Sequence, residues 1–280
     1  MQLIEIGDTR VVQVRPEDSI DQAIALLEAH GFRHLPVVDR GSILGMVSDR
    51  DLLSAVAMLP SNQRFTSTEG PARVGATKIS QIMSSPARTV AADASLEVAA
   101  ELMLNEGIRA VPLVYKDRLA GIVTETDFLK CYLDDRPIAR RSGWRLQKVG
   151  DHMSRPVVTL RADDTFRHAV RIMQSKGIRH LPIVEAGQLT GIVSDRDMRR
   201  VLGGMEMEAD EETGTASETV MRDVMTREVA TTDPTTTLAE VADVLVKRKF
   251  GSLPVMDDMQ LAGIITEADL LRIFVEACKP

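Results

Sequence analysis

Aromatic residues make up only 3% of this 280-residue chain, so its core has to come from the Val, Ile, Leu, Met and Ala within its 44% hydrophobic fraction. Side chains of that kind suit helices packed on small sheets of β-branched strands. Cysteine is almost missing: Cys131 and Cys278 stand far apart, with no CxxC and no Cys/His cluster, which argues against a disulfide framework and structural zinc. There is no excess of basic charge either, since the formal net charge is −7 and the pI about 5.4. A nucleic-acid binder carries a basic balance or a basic stripe, and the single basic run, Arg136 to Arg145, lies in a linker-like stretch. No segment approaches the ~18 apolar residues of a membrane span. The opening MQLIEIGDTR has neither the basic start nor the apolar stretch of a signal peptide. The expectation is a soluble, cytoplasmic protein with neither nucleic acid nor membrane as partner.

Catalytic signatures are absent as well. The sequence contains no GxGxxG, no GxxxxGK[ST], no HExxH and no GxSxG, and its five histidines (His30, His34, His152, His168, His180) form no metal pattern. No nucleophile–base set is visible, so an enzyme is not expected.

What is present is a repeat. Four segments superimpose without insertion: GFRHLPVVDRGSILGMVSDRD from Gly31, GIRAVPLVYKDRLAGIVTETD from Gly107, GIRHLPIVEAGQLTGIVSDRD from Gly177 and KFGSLPVMDDMQLAGIITEAD from Lys249. Each proline (Pro36, Pro112, Pro182, Pro254) is followed in fixed register by a glycine (Gly45, Gly121, Gly191, Gly263), a hydroxyl (Ser48, Thr124, Ser194, Thr266) and an aspartate (Asp51, Asp127, Asp197, Asp269). Upstream, Ser19, Ser95, Thr165 and Thr237 each stand at the N-cap of an amphipathic helix, with apolar residues one, four, five and eight places on. Gly31, Gly107 and Gly177 fit the left-handed end of the first three helices. Each unit therefore reads β-α-β-β-α, an α/β (α+β) arrangement whose apolar sheet face needs a partner. Leu59–Thr77 reads as a loop, Gly203–Glu218 as an acidic Gly/Thr-rich stretch, and the lone Trp144 as packing at a domain junction.

The pattern G-h-x-x-h-P-h-V followed by G-h-h-[ST]-x-x-D, repeated four times over nearly the whole chain, resembles the CBS domain family. The resemblance implies tandem pairs, or Bateman modules, each with pseudo-twofold symmetry: repeats of about 1–58 and 77–135 in a module spanning 1–135, a linker over 136–146, and repeats of about 147–204 and 218–280 in a module spanning 147–280. Repeats one and three share RHLP and SDRD, whereas two and four share T-E-x-D. That supports an ancestral pair later duplicated. CBS modules commonly pair into flat discs, within one chain or across a homodimer.

The S/T-x-x-D corner has two readings. One is a helix capping box, with Asp49, Glu125, Asp195 and Glu267 favouring the positive end of the following helix dipole. The other is a carboxylate accepting from the two hydroxyls of a ribose, beside a Ser or Thr at a helix N-terminus that favours anions. The capping box prefers Glu or Gln, and four aspartates in four copies fit the ribose role, which is this aspartate's role in the family. Arg33–His34, Arg179–His180 and Arg109, just before the LP strands, together with Arg50 and Arg196, are candidate phosphate contacts because the guanidinium fork suits phosphate. Ser84, Ser154 and Thr226, each after a methionine, stand where the family has a further ligand contact. Asp8 replaces that hydroxyl in the first copy, and Gly251–Ser252 replaces Arg-His in the fourth, so the four sites should differ.

These residues point to a non-catalytic regulator that binds adenine nucleotides (AMP, ADP or ATP, with Mg2+ able to accompany ATP) and passes occupancy to a protein partner or to its own assembly. Two alternatives stay open. One is a dimerisation scaffold without ligand. The other is a sensor of S-adenosylmethionine, NAD(H) or a dinucleotide, of which the cationic sulfonium ligand suits the Arg-His pairs least.

Overall fold

The computed structural model describes residues 1–57, 77–134, 143–204 and 219–278. Most of the Leu59–Thr77 loop, of the Gly203–Glu218 stretch and of the Arg136–Arg145 run lies outside the described residues.

The four repeats are built alike. The first has α1 (Ile20–His30), the hairpin β1 (His34–Asp39) and β2 (Ser42–Ser48), and α2 (Asp49–Ala57). The second has the two-residue β3 (Val90–Ala91), α3 (Leu96–Glu106), β4 (Ala110–Tyr115), β5 (Arg118–Thr124) and α4 (Glu125–Leu133). The third has α5 (Phe166–Lys176), β6 (His180–Glu185), β7 (Gln188–Ser194) and α6 (Asp195–Gly204). The fourth has α7 (Leu238–Arg248), β8 (Ser252–Asp257), β9 (Gln260–Thr266) and α8 (Glu267–Cys278). The leading strand of each unit is shorter than its sequence pattern implies. It is β3 in the second repeat, and single parallel bridges Val14 to Val37, Leu160 to Ile183 and Thr232 to Val255 in the others.

Local chemistry accounts for the helix ends. Ser19, Thr165 and Thr237 accept from the backbone N–H of Gln22, His168 and Glu240 at 3.1, 3.3 and 3.3 Å. Gln22 and Glu240 reach back to complete capping boxes. At the other end Gly31, Gly107 and Gly177 take φ of 67°, 65° and 68°, and Lys249 adopts the same left-handed geometry at 55°. The fourth helix thus ends as the others do without a glycine.

The segment leading each repeat is exchanged with its tandem neighbour. Residues 3–8 lie on the second repeat, where Asp8 and Ile122 exchange N–H···O bonds of 2.9 Å in both directions. Residues 79–84 lie on the first repeat, with Ser84 paired to Met46 at 2.9 and 3.0 Å. Likewise Ser154 pairs with Ile264 of the fourth repeat and Thr226 with Ile192 of the third. The repeated glycine lies under this exchanged segment. A Cβ on Gly45 would stand 2.6 Å from the Ser84 carbonyl oxygen, a backbone atom with no rotamer to escape into. Gly45→Ala is therefore expected to destabilise the protein by about 1–3 kcal/mol. A denaturant midpoint equal to wild type would contradict that close seating.

Two compact units result. One comprises Met1–Val11, Arg88–Val157 and Val229–Pro280, and so holds repeats two and four. The other comprises Val12–Ala87 and Val158–Glu228, and holds repeats one and three. The unit of repeats two and four has one continuous core that runs from Leu3, Val111 and Val123 to Leu238, Val255 and Ile265. Tyr132 of α4 stacks on Phe274 of α8, and Trp144 meets Tyr132 edge-on with ring centroids 6.4 Å apart. Trp144 is buried at this junction of two repeats, and the adjacent Arg145 donates to the carbonyls of Tyr132, Leu133 and Asp134 at the end of α4. The unit of repeats one and three has two apolar clusters, with Leu53 of α2 inserted into the cluster of the third repeat. Its two repeats also meet through buried charge.

Candidate functional site

At the start of each last helix, one aspartate oxygen closes the cap. Oδ2 of Asp51, Asp127, Asp197 and Asp269 accepts from the backbone N–H of Ser48, Thr124, Ser194 and Thr266 at 2.8, 3.0, 2.9 and 2.9 Å. The same oxygen accepts from the four hydroxyls at 2.6–2.7 Å. The carboxylate half of the S/T-x-x-D capping reading is thus realised in every copy, and it occupies one carboxylate oxygen. Aspartate, one methylene shorter than glutamate, holds its second oxygen, Oδ1, fixed beside the cap.

The segment exchange decides which residue faces that second oxygen. The Ser84 hydroxyl donates to Asp51 Oδ1 at 3.2 Å, and the Ser154 hydroxyl to Asp269 Oδ1 at 3.4 Å. Thr226 holds the matching place on the third repeat, and Asp8 holds it on the second. The sequence register assigns Asp8 to the first copy, whereas the fold brings it to the corner of Asp127. Burial raises the Asp51 carboxyl above its ordinary value, against the lowering effect of the bonds from Ser48 and Ser84.

The Arg-His pairs of repeats one and three fall in one unit. There Arg179 pairs with Asp195 at 3.5 Å, and Arg199, almost wholly buried, pairs with Asp49 and donates to the Phe32 carbonyl at 3.1 Å. Asp49 is itself buried, and its pKa is pushed up to about 7 by desolvation and then by Asp195, outweighing Arg199 and Arg33. Arg196 is shifted down by burial and then by Arg33, as a cation among cations must be. Its guanidinium reaches the Gly31 carbonyl at 3.4 Å, and Arg50 approaches Gly177 in the reciprocal direction. Each arginine thus sits at the negative end of the other repeat's helix. His34 and His180, next in sequence to Arg33 and Arg179, open β1 and β6 and pair in register with Ser48 and Ser194.

The other unit differs. Arg109 is held by both oxygens of Glu125 at 3.1 and 2.9 Å, and the Thr126 hydroxyl donates to Glu267 at 2.6 Å. The buried acids Asp49, Glu125, Asp195 and Glu267 read in sequence as helix-dipole residues, yet Asp49, Glu125 and Asp195 are ion-pair partners of arginines. Arg199 escaped the sequence reading altogether. Its signal was legible, because the other copies carry Leu53, Leu129 and Leu271 at that register.

The model of the CBS domain matches residues 4–58, 79–134, 149–204 and 221–276. Protein MJ1225 of Methanocaldococcus jannaschii is 26% identical over 281 residues, covering 95% of each chain. Its crystal structure, described as that of a proposed archaeal homologue of g-AMPK, superimposes with a TM-score of 0.82 at 23% identity over 98% of this chain and all of that one. The structure of a conserved protein from Pyrococcus horikoshii follows, with a TM-score of 0.64 at 20% identity and coverage of 98% and 100%. A CBS domain-containing protein of Bacillus subtilis, YhcV, is 34% identical over 119 residues, which is 42% of this chain and 76% of that one.

Proposed function

The chain belongs to the CBS domain family, and on that premise we propose that it is a non-catalytic sensor of adenine nucleotides (AMP, ADP or ATP). The likeness to MJ1225 bears on the fold; the ligand class rests on the corners. The observation that carries the reading is the division of labour within each aspartate. Oδ2 caps the helix in all four repeats, so the cap alone does not account for a carboxylate with a second oxygen held in place. A ribose diol offers two O–H donors to such an acceptor. Arg33 and Arg199 act on Asp49, Arg179 pairs with Asp195 and Arg196 joins them, and such a cluster of guanidiniums favours a ligand bearing phosphate. Occupancy would bias the packing of the repeats and so reach a partner protein or the chain's own assembly.

Calorimetric titration of nucleotide-free protein with AMP, ADP and ATP tests this. Asp→Ala at 51, 127, 197 or 269 is expected to weaken the affected site by about tenfold or more, the loss of one charge-assisted hydrogen bond. Failure of all three nucleotides to bind, with the variants merely less stable, would leave caps and a scaffold.

A further inference from the structure

The four corners share the use of Oδ2 and differ in what holds Oδ1. Three residues after the aspartate, on the same helix face, repeats two to four carry a cation. Lys130 Nζ lies 2.9 Å from Asp127 Oδ1, Arg272 Nη1 3.3 Å from Asp269 Oδ1, and Arg200 Nη1 3.6 Å from Asp197 Oδ1. The first repeat has Ser54 there instead. Its hydroxyl is turned away, donating to the Arg50 carbonyl at 2.7 Å and accepting from Gln174 Nε2 at 3.1 Å. Among the described residues, Asp51 Oδ1 receives the Ser84 hydroxyl and no cation.

Resting on the nucleotide reading above, we propose that the residue three places after the corner aspartate ranks the four sites, leaving the Asp51 corner open and the other three self-clamped. A carboxylate oxygen already paired with an ammonium or guanidinium must release it, or share it, before accepting from a ribose hydroxyl. Among the described residues Asp51 has no clamping cation to release, only the Ser84 hydroxyl to share, and burial that raises its carboxyl makes added donors welcome. The Asp127 corner is the least favoured, because it has a lysine clamp and carries Asp8 in place of the hydroxyl that donates at the Asp51 and Asp269 corners. The three clamping cations are more than half exposed, so each clamp is modest. An exposed pair is worth up to about 1 kcal/mol, or about fivefold in affinity.

The test is titration of the full chain with AMP and, separately, with adenosine, in wild type and four variants. Asp51→Asn should abolish the tightest class of sites. Ser54→Arg should weaken that class about fivefold for both ligands, with the effect fading in about 1 M salt as the new clamp is screened. Ser54→Ala, which removes the hydroxyl without adding a cation, should leave it unchanged. Arg272→Ser should tighten a weaker class by a similar factor. A tightest class that survives Asp51→Asn, equal losses in Ser54→Ala and Ser54→Arg, or weaker adenosine binding in Arg272→Ser overturns the ranking while the nucleotide reading stands. No binding of either probe or of ATP to wild type removes both.

Discussion

Replacing Arg199 by Ala is expected to lower stability by about 3–5 kcal/mol, the cost of leaving a buried carboxylate without its cation. Arg199 and Asp49 lie in different repeats of one unit, and both are almost wholly buried. The other copies carry leucine at the Arg199 register. Arg199→Leu together with Asp49→Asn should therefore recover most of the loss, since a buried pair replaced on both sides is often neutral. The effect depends on pH with a definite sign. The folded-state pKa of Asp49, about 7, lies above the ordinary carboxyl value of 3.8, so between those values the folded protein binds the extra proton. Stability on this group's account is highest below about pH 4 and falls as pH rises toward 7. The Arg199→Ala loss should accordingly be smaller at pH 5 than at pH 8, because a neutral Asp49 needs no cation. Denaturant unfolding at the two pH values measures this. A loss under 1 kcal/mol at pH 8, or one that grows on acidification, would show that Asp49 is not held as an uncompensated charge.

That pair also marks where sequence reading reached its limit. The N-caps at Ser19, Thr165 and Thr237, the left-handed glycines, and the corner of each hydroxyl with its aspartate were legible because their partners lie within four residues. The exchange of leading segments was not. Nothing in the spacing of the repeats says whether Asp8 returns to its own repeat or crosses to the next, and only its bridge to Ile122 assigns it to the Asp127 corner. Lys249 could not be read as a left-handed cap, since a lysine there is tolerated by context alone. Asp49 and Asp195 look like dipole residues in the sequence because their arginine partners come from side chains distant along the chain, as in the pair formed by Arg199 with Asp49. The leucine-to-arginine change within an otherwise apolar register was the one available sign of that pairing.

Substituting both Arg33 and Arg179 by Gln is expected to weaken AMP binding by about a hundredfold while changing adenosine binding less than threefold. The two arginines stand at the same register of repeats one and three, which share a unit, and the pKa of Arg196 is lowered first by burial and then by the neighbouring Arg33. A phosphate entering there replaces repulsion among guanidiniums with charge-assisted bonds worth about 1.5–3 kcal/mol each, so losing one bond per arginine accounts for the hundredfold. Arg109 supplies the internal control. Both partner oxygens of Arg109 come from Glu125, and the fourth repeat has Gly251 at the same register, so this register supplies the unit of repeats two and four with one arginine, already paired. Arg109→Gln should therefore leave AMP affinity within about threefold of wild type. Equal losses for AMP and adenosine in the double variant would mean that Arg33 and Arg179 serve only to balance Asp49 and Asp195. A loss confined to AMP would mean that Arg33 and Arg179 read the phosphate, and that the two units of the chain differ in the ligands they accept.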